Sequence, residues 1–333
     1  MTFADRAAAL ATAFDYTPRQ ARFLTLVSLI SGYFLRRHYC AFAQIIDGKN
    51  TRTFFDDLRR RALVTVQRPR ADRGWLYHLR ARALYDLLDL SDNRNRRVAS
   101  PPRQARRLML LDFAINHPTA HWYATEAEKI TLCTKELTLP SDVMPARHYV
   151  GADKTRTVRR FIHKLPIFRL PDSPEVCFVV LGLDTTGQSL TTFLNDHARL
   201  LAAIAHWHLV VVYPRLMRAG VAVWRRALAA AHVFTAPTLS HNDARELHAY
   251  FRIQHALQVG SATPVIIDDA HDQRRRQFAG RYDALYAFWR QAGGPGRPTD
   301  APPDFARWQP AGRYSLWELP HAYDLFGQFP GIV

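Results

Sequence analysis

Six polar side chains in the stretch KNTRTFFDDLRR are spaced for reading a nucleic acid: Lys49, Arg52, Thr53, Asp56, Arg59 and Arg60. At the helical period Thr53, Asp56 and Arg60 share one face, Arg52 and Arg59 flank it, and Lys49 stands at its entrance. A guanidinium can donate to O6 and N7 of guanine, and a carboxylate can accept from cytosine N4. Arg52, Thr53, Asp56 and Arg60 therefore carry base-edge chemistry. Lys49, Arg59, Arg68, Arg70 and Arg73 suit phosphates, as do Arg36 and Arg37 upstream. The competing explanation is a solvated helix face on which Arg52 and Arg60, each four residues from Asp56, pair with it. A second basic group, Lys154, Arg156, Arg159 and Arg160 with Lys164, is a candidate extension of the same track or a solvated face of its own.

The elements that would hold these residues can be read from punctuation and period. Thr17-Pro18-Arg19-Gln20 carries a capping box and a proline at N1, so a helix is expected from Pro18 to about Ile30, with Phe23, Leu24, Val27 and Ile30 buried. After Ser31-Gly32 a second helix, about Leu35 to Ile46, presents Leu35, Tyr39, Phe42, Ala43 and Ile46 to a core, and Asp47-Gly48 ends it. A third, from Asn50 or Thr51 to about Ala62, buries Phe54, Phe55, Leu58 and Ala62. Leu63 to Gln67 and Trp75 to Leu79 alternate like strands around a basic loop, with Trp75 and Tyr77 assigned to packing. Three short helices and a basic hairpin over residues 17–79 predict a winged helix-turn-helix, in which the third helix enters the major groove of double-stranded DNA. A further helix, Ala81 to Leu90, backs it.

Charge supports that partner. The 333 residues carry 45 Lys and Arg against 29 Asp and Glu, a net +16, which favours a polyanion. The excess is local: Arg36 to Arg107 holds 18 basic and 7 acidic residues, a net +11. Cys40, Cys133 and Cys177 are distant from one another and sit in apolar runs, as reduced thiols of a cytoplasmic protein would. No apolar stretch is long enough to span a membrane and no leader is recognisable, so neither export nor a membrane is expected. The sequence holds no Walker loop, GxGxxG or HExxH, and Ser189 lacks a nucleophile elbow. Asp268-Asp269-Ala270-His271-Asp272 could ligate a metal, but exposed acids explain it better. His206 and His208 share one side of a strand entrance without a third ligand, so hydrogen bonding is their default role. No metal, cofactor or catalytic residue is assigned.

Three units are expected: residues 1–90 as the DNA-binding domain, 91–145 as linker and helical joint, and 146–333 as a mixed α/β domain with a helical, aromatic tail. The polar stretch SDNRNRRVASPP marks the boundary, and a helix starts at Ser100-Pro101. Beyond it, Arg156 to Ile162, Leu165 to Leu170, Val176 to Leu183 and Leu209 to Tyr213 predict strands, and Pro264 to Ile267 an edge strand. Leu190 to Ala205, Leu216 to Ala231 and Asp243 to Leu257 predict helices. The ending RYSLWELPHAYDLFGQF is expected to dock on the body.

The segment from Thr17 to Leu88 resembles the N-terminal winged helix of the replication-relaxation family, encoded on bacterial plasmids and integrative elements. The resemblance covers about a quarter of the chain and lies in spacing and residue character. It implies a regulator or an accessory factor of replication or transfer, associated with the bacterial nucleoid. Its candidate partners are double-stranded DNA, a second copy of the chain and other proteins of a mobile element. It also implies an α/β domain of restriction-endonuclease-like layout behind the winged helix, to which KLPIF followed by EVCFVVLGLD is similar. A metal-dependent nuclease of that layout needs an acid on one strand and an acid-x-Lys on the next. Here Ile167 and Phe168 follow Pro166, no lysine follows Glu175, and Asp184 ends its strand alone. A degenerate fold that binds is expected. A DNA-processing nuclease and a protein-interaction scaffold are the alternatives.

Overall fold

Two capping boxes start the chain. Thr2 and Asp5 bond each other's backbone N–H groups and launch α1 (Phe3–Phe14), a helix not expected above. Thr17 and Gln20 repeat the device at α2 (Pro18–Ile30), whose bounds are those expected. The expected stripe of α2 is buried, but so are Thr25, Leu26, Ser28 and Leu29, because other helices pack around it on several sides. The computed structural model describes residues 1–68, 74–150, 156–161, 164–231, 233–234, 239–259, 285–298, 300–307, 312–321 and 323.

After α2 the chain turns at Gly32, where φ is +73° and a Cβ would collide with the Asn95 carbonyl, so glycine is required. There follow β1 (Tyr33–Phe34), α3 (Arg36–Ala43), α4 (Lys49–Arg60), β2 (Val64–Gln67) and β3 (Leu76–Leu79). The strands form an antiparallel sheet in the order β1-β3-β2. β1 was not expected. It is only two residues long, and Tyr33 and Phe34 are held by pairing with His78 and Tyr77 of β3. Two helix ends also differ from expectation. α3 stops at Ala43 because Gln44 turns left-handed, which leaves Ile46 at 93% exposure instead of in the core. α4 stops at Arg60, and Ala62, at φ +52°, is exposed.

The polar stretch taken as a boundary is tied down. α5 (Arg82–Leu87) leads into it. The Asn95 side chain donates to the carbonyls of Ser28 and Leu29, at 3.0 and 2.9 Å, and so satisfies orphan groups in the last turn of α2. The Ala99 N–H donates to the Tyr33 hydroxyl at 2.9 Å. α6 (Pro101–Ile115) then buries a continuous run from Leu108 to Ala114. It packs against α2, α3 and β1 and also against the second sheet. One group of buried apolar residues accordingly runs from Leu10 through α6 to Val179, Val210 and Val212.

The remainder is mixed α and β. Its elements are β4 (His121–Tyr123), α7 (Glu126–Thr131), β5 (Ala146–Val150), β6 (Arg156–Arg160), β7 (Ile167–Arg169), β8 (Val176–Leu181), α8 (Gln188–Asp196), α9 (Ala198–Ala203), β9 (Trp207–Pro214), α10 (Val221–Ala230), α11 (His241–Gln258) and β10 (Gly312–Leu319). Five strands form a sheet in the order β10-β9-β8-β7-β4, with β8, β9 and β10 parallel and β7 and β4 antiparallel to their neighbours. The helix expected over 190–205 is broken at His197. The first part of the aromatic tail docks as β10, pairing with β9 from Gly312↔Trp207 to Leu319↔Pro214, and residues 324–329 of it lie outside the described residues. Residues 264–267, expected as an edge strand, lie outside the described residues.

Asp112 of α6 ties the two sheets' surroundings together. Its carboxylate accepts both guanidinium nitrogens of Arg37 at 2.7 and 2.9 Å and the Tyr323 hydroxyl at 2.6 Å. His38 Nε2 lies 3.1 Å away. The Leu35 N–H donates to His38 Nδ1 at 2.8 Å, so the neutral ring carries its proton on Nε2, facing the acid. Burial works against ionisation of Asp112, yet His38 and Arg37 hold its carboxyl well below the usual range. The stabilisation it contributes is complete above its unfolded pKa of about 3.9 and is lost as pH falls toward the lower folded value. Asp112→Ala is expected to cost about 3–5 kcal/mol at neutral pH. In urea titrations the gap between wild type and Asp112→Ala should narrow as pH drops below about 4; a gap constant with pH would show that the acid is not ionised in the fold.

Candidate nucleic-acid interface

α4 buries Thr51, Phe54, Phe55 and Leu58 and turns Lys49, Arg52, Thr53, Asp56, Arg59 and Arg60 outward. The division follows from its apolar residues at three- and four-residue spacing. The outward side chains differ in how they are occupied. Lys49 and Arg52 have no acidic partner among the described residues. The Thr53 hydroxyl donates back to the Lys49 carbonyl at 3.1 Å. Asp56 pairs with Arg59 at 3.7 Å, not with Arg52 or Arg60. Arg60 pairs with Asp57, which also accepts from Arg61 at 2.9 Å and from the Tyr16 hydroxyl at 3.0 Å. Burial opposes the charge on Asp57, but those bonds lower its pKa overall.

The hairpin meets α4 through Trp75. The Arg59 guanidinium lies 4.9 Å from the Trp75 ring centre and that of Arg68 lies 5.0 Å from it, so one half-buried indole holds two cations. Trp75 packs against the core, as the sequence assigned it, and also carries these arginines on its ring. Tyr77, assigned likewise, is buried at 2% exposure. Arg36, Asp47, Arg59, Trp75 and Tyr77 line a groove of about 520 Å³ between α3, α4 and the hairpin. Arg36 reaches Asp47 at 3.6 Å, and its Nε is buried without a hydrogen-bond partner among the described residues.

Arg37 needs correction. It also borders the groove, but its guanidinium is committed to Asp112, so its role is to hold α3 on α6. Arg68 is exposed beside Trp75. Arg70 and Arg73 of the hairpin loop, and Lys154, lie outside the described residues. Arg156, Arg159 and Arg160 stand on β6, away from the α4 sequence. Arg61 was missed, although its four-residue spacing from Asp57 was a readable signal.

Elsewhere, groups that could do chemistry are already engaged. Both oxygens of Asp184 accept backbone N–H groups, from Thr186, Gly187 and Ser189, and the Thr186 hydroxyl also donates to it. That carboxylate organises the turn into α8. Glu175, Cys177 and His208 converge, but Glu175 is held by both Arg313 nitrogens at 2.6 Å and His208 lies 2.8 Å from the Ser315 hydroxyl. Burial also pushes the Cys177 thiol up to about 12, which disfavours the thiolate a metal would require. Residues 268–272 lie outside the described residues.

Lys129 is the least expected group. It is 2% exposed, donates to the Leu165 carbonyl at 2.6 Å, and borders a cavity of about 10 Å³, room for one water at most. Burial draws its ammonium down to about 8, against the pull of Glu128 and Glu126. The unfolded chain keeps this proton up to about pH 10.4 while the folded chain releases it near 8. Stability should therefore rise with pH across that interval and be indifferent to Lys129 titration below it. Lys129→Met is expected to flatten the rise in thermal melts between pH 8 and 10; an unchanged slope would assign it to other groups.

Comparison with protein-family models, curated proteins and solved structures finds no match to this chain.

Proposed function

We propose that residues 17–79 form a winged helix-turn-helix that binds double-stranded DNA sequence-specifically, with α4 as the recognition helix. The observation that carries this reading is the outward face of α4, where Lys49 and Arg52 have no acidic partner among the described residues and Arg59 joins the Trp75–Arg68 stack. Element order supports it: three helices, then a hairpin whose strands complete a small antiparallel sheet with β1. Arg52 suits guanine O6 and N7; Arg60, held lightly at the surface by Asp57, can exchange that partner for DNA. Lys49, Arg59 and Arg68 suit phosphates, and Arg36 suits an anion in the groove. The mixed sheet behind is read as a degenerate restriction-endonuclease-like body, because Asp184 spends its acceptor capacity on the turn it organises. The family resemblance adds a role in regulation, replication or transfer of a mobile element.

The test is selection of duplexes from a random pool, followed by fluorescence anisotropy on the selected site. Each base-reading arginine is worth about 1–3 kcal/mol, so Arg52→Ala with Arg60→Ala should weaken binding at least tenfold and relax specificity, with an unchanged melting temperature. Arg37→Ala is the contrast: it should lower the melting temperature by leaving Asp112 short of its partner. Wild-type affinity in the Arg52/Arg60 double variant would reject α4 as the reader. Failure of the wild type to hold any duplex at moderate ionic strength would favour a scaffold.

A further inference from the structure

Among the described residues β5 and β6 pair only with each other, and the residues of both strands are exposed apart from Arg160. A two-stranded hairpin that buries neither face gains little from packing, so another requirement keeps it in the chain. Its composition points to one. The strands ARHYV and RTVRR carry Arg147, Arg156, Arg159 and Arg160 and no acid. The register sets Arg147 directly opposite Arg159, a like-charge pair offset only in part, by Glu126 near Arg159. Alternation puts Arg147 and Arg159 on one face, and Arg156 and Arg160 on the other. Apolar groups are exposed between them: Tyr149 at 46%, Val150 at 68% and Val158 at 41%.

The root of the ribbon is fixed and is basic too. Glu126, in the first turn of α7, accepts the Arg160 N–H at 2.8 Å and lies 3.8 Å from the Arg159 guanidinium. Burial, and then the positive fields of Arg94 and Arg159, with Arg97 also contributing, lower the Lys164 ammonium. Arg94 and Arg97, in the stretch that caps α2, therefore act electrostatically on Lys164, four residues after β6.

We infer that the β5–β6 ribbon is a second arm of the DNA-binding surface, gripping duplex phosphates with Arg147, Arg156 and Arg159 from its two faces. The inference rests on the reading of α4 as a duplex-binding helix. A two-stranded ribbon is one of the two elements a major groove admits, and basic side chains on both of its faces can reach both phosphate walls. Anionic phosphates also relieve the Arg147–Arg159 repulsion, so the ribbon's charge is complementary to a duplex.

The experiment measures how binding falls with salt, on random-sequence duplexes of about one helical turn and about three turns. Each phosphate contact contributes about 0.9 to the slope of log K against log salt. On the longer duplex, replacing Arg147, Arg156 and Arg159 together by alanine should lower that slope by about 2.7. Replacing the same three by lysine should retain it, which separates charge from folding. Slopes equal to wild type in the alanine variant, with Arg52→Ala/Arg60→Ala still weakening binding, would overturn the arm and leave the α4 reading standing. A lowered slope in the alanine variant, with wild-type affinity in the Arg52/Arg60 double variant, would support the arm and reject α4. A wild type that holds no duplex, or that single-stranded DNA displaces as readily as duplex does, would overturn the arm.

Discussion

The carboxylate of Asp112 is the constraint on which the arrangement of this protein depends. A charge at 7% exposure is stable only when partners surround it, and those partners come from α3, through Arg37 and His38, and from beyond β10, through Tyr323. Satisfying one buried acid therefore fixes the helix before α4 against α6 and brings in Tyr323 from beyond β10. Arg6 repeats the logic on a smaller scale. Buried at 5%, it donates to the Leu88 carbonyl at 2.9 Å and to Glu128 at 2.6 Å, joining α1 to α7. Both ties are directional, so they select one relative placement of the pieces where apolar packing would tolerate several.

That placement sorts the arginines. Net charge treats them alike, but geometry does not. Arg37 and Arg6 are structural cations, the first half-buried on the buried Asp112 and the second buried against the half-buried Glu128. Arg59 and Arg68 are held against one indole, which limits their freedom while leaving their outer edges open. Arg52 is neither paired nor stacked among the described residues. An anion approaching α4 thus meets a graded surface: some guanidinium groups are pre-positioned, others are free to adapt. Pre-positioned groups lose less side-chain entropy on meeting an anion, and free ones can adapt to its shape.

Local rules read well from the sequence and distant ones did not. The Thr17–Gln20 box and Pro18 located α2 to the residue, and the apolar spacing of Phe54, Phe55 and Leu58 oriented α4. The same rule was available at Thr2 and Asp5, where it marks α1. Ile46 and Ala62 were misplaced because extrapolating a helical period cannot anticipate a left-handed stop at Gln44 or Ala62. β1 was invisible, since two residues show no alternation and are strand only through pairing with His78 and Tyr77. The stretch 91–102 looked like a linker because it is polar. Its polarity serves the carbonyls of Ser28 and Leu29, which a composition cannot reveal. Arg37 looked like a DNA ligand for the same reason: its partner is 75 residues away.

The Asn95 cap also bears on how the two basic regions relate. Its side chain closes the end of α2, its own carbonyl lies 2.9 Å from His78 Nε2 on β3, and that carbonyl is what forbids a side chain at Gly32. Burial draws His78 down to about 4, so the ring is neutral at physiological pH and adds no repulsion to the arginines around it. Arg94 stands one residue before Asn95 and acts on Lys164 at the foot of the ribbon. Because Asn95 contacts the end of α2, Gly32 and His78 at once, displacement of the turn would unseat α2 and the hairpin sheet together.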